Sequence, residues 1–380
     1  MSQSFQSLSL SSGILHSIHA MGFQQASAIQ EQAIPVLLGG CDLIGQAQTG
    51  TGKTAAFAIP LIEQLDPSKK HLQGLVLCPT RELAVQVTKE CQQLMAHLNT
   101  VGIVSIYGGD PIGKQIRALQ KKPAIVVGTP GRILDMIQRG HLKLNAVAHV
   151  VLDEADEMLD MGFRKDIESI LSKTPNERQT ILFSATMSET IQRLADRFLE
   201  QPVFVSTGNR NESAANIKQH YIEITQRKKR HALTSLIAAE HVKLGLVFCN
   251  TKRQVDQLTK ELKQDGINAD ALHGGLSQSK RNQVMHGFRK GAIRLLIATD
   301  VAARGIDVKN VQAVFNYDLP KNLESYVHRI GRTGRAQQSG KAFTFIGSNE
   351  MGTLKKIERL TKSSVTKIKV PLPSLAQRSL

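Results

Sequence analysis

The 380-residue sequence has no tryptophan, and aromatic residues make up only 4% of it. That argues against a nucleic-acid surface that stacks successive bases on rings, and favours contact with phosphate and sugar. The four cysteines, Cys41, Cys78, Cys91 and Cys249, show no CxxC spacing, so neither a disulfide framework nor a zinc site is expected, and each is read as a buried single thiol. No apolar run approaches the roughly 20 residues that span a bilayer. The opening MSQSFQSLSL lacks the basic start and apolar core of a signal peptide, and a soluble, cytoplasmic chain is expected. Acidic residues are scarce in one half only. Residues 1–205 carry 18 Lys+Arg against 19 Asp+Glu, a net −1, whereas residues 206–380 carry 30 against 13, a net +17. Such asymmetry points to a polyanion that leans on the C-terminal half.

What is present is a regular alternation. Short β-branched runs at 42–45, 75–78, 102–106, 124–127, 147–152 and 180–183 are separated by helix-patterned segments, and the pattern returns at 219–224, 244–248, 268–272, 293–298, 312–316 and 342–346. This predicts an α/β chain of two tandem domains, 1–205 and 217–380, each a mostly parallel sheet with helices on both faces. Between them, residues 206–216 are polar, small and without periodicity, as in a linker. In open α/β sheets ligands collect beyond the carboxyl ends of the strands, and here almost every predicted strand tip carries polar chemistry. Any one tip alone would pass for a turn.

The stretch Ala47–Thr54, AQTGTGKT, follows a short apolar run and leads into a helix-forming segment. Gly50 and Gly52 let backbone N–H groups turn toward an anion at the positive end of a helix. Lys53 would reach β- and γ-phosphates, and the Thr54 hydroxyl would hold Mg²⁺. The octet alone leaves a kinase, a transporter ATPase or a GTPase open. Asp153-Glu154, after another strand, would hold Mg²⁺ through Asp153 and orient or deprotonate a water through Glu154. No second glycine-lysine loop occurs in 217–380, which implies one nucleotide completed by groups from the other half. The natural donors lie in HRIGRTGR, residues 328–335, where arginine directed at a γ-phosphate would stabilise transition-state charge.

These motifs, with PTRELA at 79–84, Gly108-Gly109, TPGR at 129–132, SAT at 184–186, LVFCNT at 246–251, Gln278 to Arg281 and ATDVAARGID at 298–307, closely resemble the DEAD-box family of ATP-dependent RNA helicases from about Phe5 to about Ile346. The resemblance implies two RecA-like domains, ATP and Mg²⁺ as cofactors, and RNA as partner. It assigns Phe23 to stack on adenine and Gln30 to read its edge, with Phe5 as the upstream aromatic. Gln48, Thr49, Gly50, Thr51, Gly52, Lys53 and Thr54 line the nucleotide, and Asp307 contacts its ribose. It gives RNA contact to Pro79, Thr80, Arg81, Gly109, Thr129 and Arg132 in the first half and to Arg281, Thr299 and Asp300 in the second. Ser184, Thr186 and His328 serve coupling, and Arg332 and Arg335 are arginine fingers beside the catalytic Lys53, Asp153 and Glu154. Ala26 stands where the family commonly has proline, which loosens the loop around Gln30 and leaves adenine recognition in place.

The expected mechanism is a clamp in which ATP and RNA each favour closure and so tighten one another's binding by linkage. Two alternatives remain at this level: an ATP-gated RNA clamp that scaffolds an assembly with little unwinding, and a DNA helicase of the same superfamily.

Overall fold

In a computed structural model of the chain, residues 4–47, 50–98, 102–207, 217–303, 308, 311–320, 322–334, 340–361 and 363–370 are described. Two units result, Met1–Thr207 and Gly208–Leu380. The first contains strands β1 (Leu43–Gln46), β2 (Gly74–Leu77), β3 (Ile103–Ile106), β4 (Ile125–Gly128), β5 (His149–Leu152), β6 (Gln179–Ser184) and β7 (Val203–Ser206), in the order β3-β4-β2-β5-β6-β1-β7. The second contains β8 (Ile217–Glu223), β9 (Gly245–Phe248), β10 (Ala269–Leu272), β11 (Leu295–Ala298), β12 (Ala313–Asn316), β13 (Gly340–Ile346) and β14 (Thr366–Lys367), in the order β10-β11-β9-β12-β13-β8-β14. Every pairing described is parallel, and the two orders superpose strand for strand. The fold is thus a tandem pair of α/β sheets, as expected.

Period-2 side-chain alternation explains the layers. In the first sheet Val76, Val127, Val151 and Phe183 face a core shared with the helices Ala28–Leu38, Lys53–Glu63 and Arg81–Leu94. Their neighbours Leu75, Val126, Val150 and Leu182 face a second core with Pro130–Gln138, Arg164–Leu171 and Glu189–Phe198. The second sheet repeats this: Val247, Ile297 and Phe315 pack on one side with Lys229–Ala239 and Lys252–Gln264. Leu246, Leu296 and Val314 pack on the other with Gln278–Arg289. At Gly45 a Cβ would lie 2.2 Å from the Phe183 ring, so the cradle-bearing strand needs glycine where it passes that phenylalanine.

Two strands were not expected. Val203–Ser206 pairs with β1, with Gln46 opposite Ser206, so Ser206 belongs to the sheet and not to a linker; residues 208–216 lie outside the described residues. As an edge strand with Val203 and Phe204 exposed, it offers no clear burial pattern to read. β14 is only two residues long. Cys41 is exposed rather than buried, whereas Cys78, Cys91 and Cys249 are buried. Among the described residues no group of three or more metal-binding side chains is assembled, and no helix is long and apolar enough to cross a membrane.

Candidate active site

The strand order sorts the polar tips of the first unit into two groups. β5, β6 and β1 are adjacent, so Asp153-Glu154, Ser184 and Ala47 come side by side although they are far apart in sequence. Gly50 and Gly52 take φ of +87° and +91°, a region glycine enters without steric cost, and Lys53 opens the helix Lys53–Glu63. Lys53 is 6% exposed, and neither its Nζ nor Asp153 Oδ1 has a hydrogen-bond partner among the described residues. A buried ammonium and a buried carboxylate oxygen without partners are costly unless a ligand satisfies them. Burial pushes the Asp153 carboxyl up to about 7, with Lys53 acting against the rise and Glu154 adding to it. A magnesium-bound triphosphate fits these groups: phosphate oxygens would meet Lys53 and the loop, and a hard divalent cation would favour the ionised Asp153.

Glu154 adopts φ +52°, ψ 53° at the start of the helix Ala155–Asp160. A non-glycine residue in the left-handed region is uncommon and is found disproportionately at functional sites. The next carboxylate, Asp156, has no local sign of a role in the sequence. Asp156 Oδ2 accepts the Thr186 N–H at 3.0 Å, while Ser184 Oγ donates to Thr186 O at 2.6 Å. Asp156 therefore ties the segment 153–156 to the SAT turn after β6. Its short spacing from Asp153 hides this, because the partner is thirty residues away.

Gln30 is 4% exposed. Its Oε1 accepts the Ser27 N–H at 2.8 Å and its Nε2 donates to Gly52 O at 3.0 Å, while Ser27 Oγ donates to Thr51 O at 2.8 Å. The expected adenine reader is thus also a brace for the phosphate loop, with one amide N–H and one lone pair unused among the described residues. Ala26 is buried, and two side-chain bonds tie this segment to the loop. Phe23 is 39% exposed, its ring centroid 6.5 Å from that of buried Phe5.

The other group sits beyond β2, β4 and β3. Pro79 is buried, Thr80 caps the helix Arg81–Leu94 by accepting the Leu83 N–H at 3.2 Å, and Thr129 precedes the helix Pro130–Gln138. Arg81 lies 4.3 Å over the Tyr107 ring and 3.6 Å from Asp110 Oδ1. Arg132 donates to Asp110 O at 3.3 Å. Asp110, next to Gly109 (φ +84°), therefore brings both arginines together. Thr51 and Thr54 are half-buried on the nucleotide side.

In the second unit the element missed in sequence is Arg329, 1% exposed. Its guanidinium donates to Asp300 Oδ1 at 2.5 Å and Oδ2 at 2.7 Å, to Asn250 Oδ1 at 3.1 Å, to Asp318 O at 2.6 Å and to Asn316 Oδ1 at 3.4 Å. It also lies 5.1 Å over the Phe248 ring. One side chain thus joins the tips of β9, β11 and β12 to the helix Leu323–Ile330. Asp300, expected to face RNA, holds this arginine; Thr299 beside it and Arg281 are half-buried. Arg332 is buried, its Nε donating to His328 O at 3.2 Å. Gln48, Thr49, Asp307 and Arg335 lie outside the described residues.

The family profile described as DEAD/DEAH box helicase matches residues 27–194, and that described as helicase conserved C-terminal domain matches residues 228–337. The chain is 50% identical over 371 residues to the DEAD-box ATP-dependent RNA helicase CshA of Bacillus subtilis, covering 98% of this chain and 75% of that protein. The structure of Dbp5 of S. cerevisiae bound to RNA and ADP BeF3 is similar at a TM-score of 0.88 and 34% identity, over 96% of this chain and 95% of that one. Mss116p bound to ssRNA and AMP-PNP is similar at a TM-score of 0.88 and 29% identity, over 98% of this chain and 80% of that one.

Proposed function

Because the chain belongs to the DEAD-box family of ATP-dependent RNA helicases, we propose that it hydrolyses ATP in response to RNA and uses the cycle to separate or remodel short RNA duplexes in the cytoplasm. The observation that supports this best is the row formed by Lys53, Asp153 and the SAT turn, with Asp156 joining the last two. Lys53 holds the β- and γ-phosphates. Thr54 and Asp153 would hold Mg²⁺, which would supply neutralisation of the phosphate charge when bound. Glu154 takes or orients the proton of the attacking water, and Arg332 and Arg335 stabilise the charge that develops. Phe23 and Gln30 select adenine, and Asp307 the ribose.

Arg81 and Arg132, with Thr80, Thr129 and the Gly109 backbone, grip phosphate and 2′-hydroxyl groups, as do Arg281 and Thr299 in the second unit. Ser184, Thr186 and His328 connect the two ligands. The basic second half supplies the sequence-independent part of the affinity.

ATPase rate measured with and without single-stranded RNA, across a salt series, tests this. Stimulation that fades as salt rises is expected; hydrolysis indifferent to RNA would refute it. Strand separation on RNA and matched DNA duplexes, with RNA favoured, distinguishes an RNA enzyme from a DNA helicase.

A further inference from the structure

The turn His273-Gly274-Gly275-Leu276 follows β10 and leads into the helix Gln278–Arg289, whose first turn carries Arg281. His273 is 5% exposed, although both glycines beside it are exposed. The Gly275 N–H donates to His273 Nδ1 at 3.1 Å, and His273 Nε2 lies 2.8 Å from Asp256 Oδ1. A backbone N–H is always a donor, so Nδ1 carries no proton and Nε2 does; Nε2–H therefore donates to the Asp256 carboxylate. Asp256 sits in the first turns of the helix Lys252–Gln264, which follows β9 and is capped by Thr251, whose Oγ1 accepts the Gln254 N–H at 3.2 Å. One neutral imidazole thus fastens the turn after β10 to the helix after β9.

The downstream geometry depends on that turn. Leu276 N–H donates to His273 O at 3.2 Å and closes it. Ser277 then caps the next helix, its Oγ accepting the Lys280 N–H at 3.4 Å and its carbonyl accepting the Arg281 N–H at 3.0 Å. The Lys252 stem lies close over both glycines, 3.8 and 3.7 Å from where their Cβ atoms would be. Two adjacent glycines are conformationally loose, and the imidazole holds one of them directly.

We propose that His273 is a positioning residue for RNA binding, its two hydrogen bonds setting the first helical turn that presents Arg281. This rests on Arg281 being an RNA contact.

The test separates the two bonds by half-isosteres. His273→Asn places an amide oxygen near the Nδ1 position and keeps the Gly275 bond; His273→Gln places an amide nitrogen near the Nε2 position and keeps the Asp256 bond. Affinity for a fluorescent single-stranded RNA is measured in the full chain beside affinity for a fluorescent ATP analogue, for both variants, His273→Ala, Arg281→Ala and the His273→Ala/Arg281→Ala double. With about 1 kcal/mol per hydrogen bond, each half-isostere should weaken RNA binding roughly fivefold and His273→Ala more, while nucleotide affinity stays within twofold. The double variant should be little worse than Arg281→Ala, because a misplaced arginine and an absent one are equivalent losses.

RNA affinity retained in His273→Ala while Arg281→Ala weakens it would overturn the positioning role and leave the RNA contact standing. Affinity retained in Arg281→Ala would remove the contact and the proposal with it. Fully multiplicative losses in the double variant, or parallel losses of RNA and nucleotide affinity in the half-isosteres, would reduce His273 to a residue of general stability and also overturn the proposal.

Discussion

Replacing Arg329 by alanine should destabilise the second unit more than any surface change. The side chain is 1% exposed and, among the described residues, makes five hydrogen bonds to four residues, two of them to the Asp300 carboxylate. Deleting it leaves Asp300, whose side chain is 26% exposed, without this counter-charge, and leaves the Asn250 and Asn316 amide oxygens and the Asp318 carbonyl without this donor. Removing one partner of a buried ion pair costs about 3–5 kcal/mol. In a unit of this size each kcal/mol lowers the melting temperature by about 2–4 °C, which predicts a fall of about 6–20 °C in the transition of the second unit. Differential scanning calorimetry of the full chain measures it, with the transition of the first unit as internal reference. Arg329→Lys keeps the charge but not the planar fork and should recover only part of the loss. Pairing Arg329→Ala with Asp300→Ala gives a coupling energy, expected at about 1.5 kcal/mol or more since the two groups meet through charge-assisted bonds. A second transition within about 2 °C of the unsubstituted chain would refute the assignment of Arg329 as the joint between strand tips and the helix Leu323–Ile330. RNA-stimulated hydrolysis should fall with stability, because Arg332, proposed to stabilise the developing charge, lies two residues beyond that helix.

Glu154→Gln keeps the shape of the side chain but cannot take a proton. It should retain ATP and RNA binding while kcat falls by about 10²–10⁴; single-turnover hydrolysis within tenfold of the unsubstituted rate would remove Glu154 from that role. Burial holds His149 below its ordinary value of 6.5, and its Nδ1 lies 3.1 Å from Gln179 Oε1. Between that lowered value and 6.5 the unfolded chain binds more protons at this position than the folded one. His149 therefore contributes stability that is present above pH 6.5 and is lost as the pH falls through the window beneath it. Urea unfolding of the first unit from pH 7.5 down to pH 5 should show this slope, His149→Gln should flatten it, and an unchanged slope in the variant would assign the acid sensitivity elsewhere.

Several features were legible in the sequence because they are local. A glycine loop that cradles phosphate needs its residues consecutive, so AQTGTGKT announces itself, and the runs around 75–78 and 124–127 fall on β2 and β4 to within a residue. Val203–Ser206 escaped because an edge strand with exposed side chains lacks a burial pattern. The sequence marks Asp153-Glu154 as a pair of carboxylates but gives no local sign of a role for Asp156, whose partner Thr186 is remote. HRIGRTGR showed four cationic or potentially cationic side chains in eight residues but not which of them turns inward.

Composition and order of motifs alone established a basic second half, a repeated α/β pattern and one phosphate loop, since each depends on residue type and spacing along the chain. The tertiary structure alone decided that β5, β6 and β1 stand together, that Gln30 braces Gly52, that Asp110 gathers Arg81 and Arg132, and that Arg329 is buried among Asp300, Asn250 and Asp318. The physical reason is that strand order in a parallel sheet is set by crossover packing and not by sequence order. Side chains that share a sheet edge therefore meet only once the sheet exists.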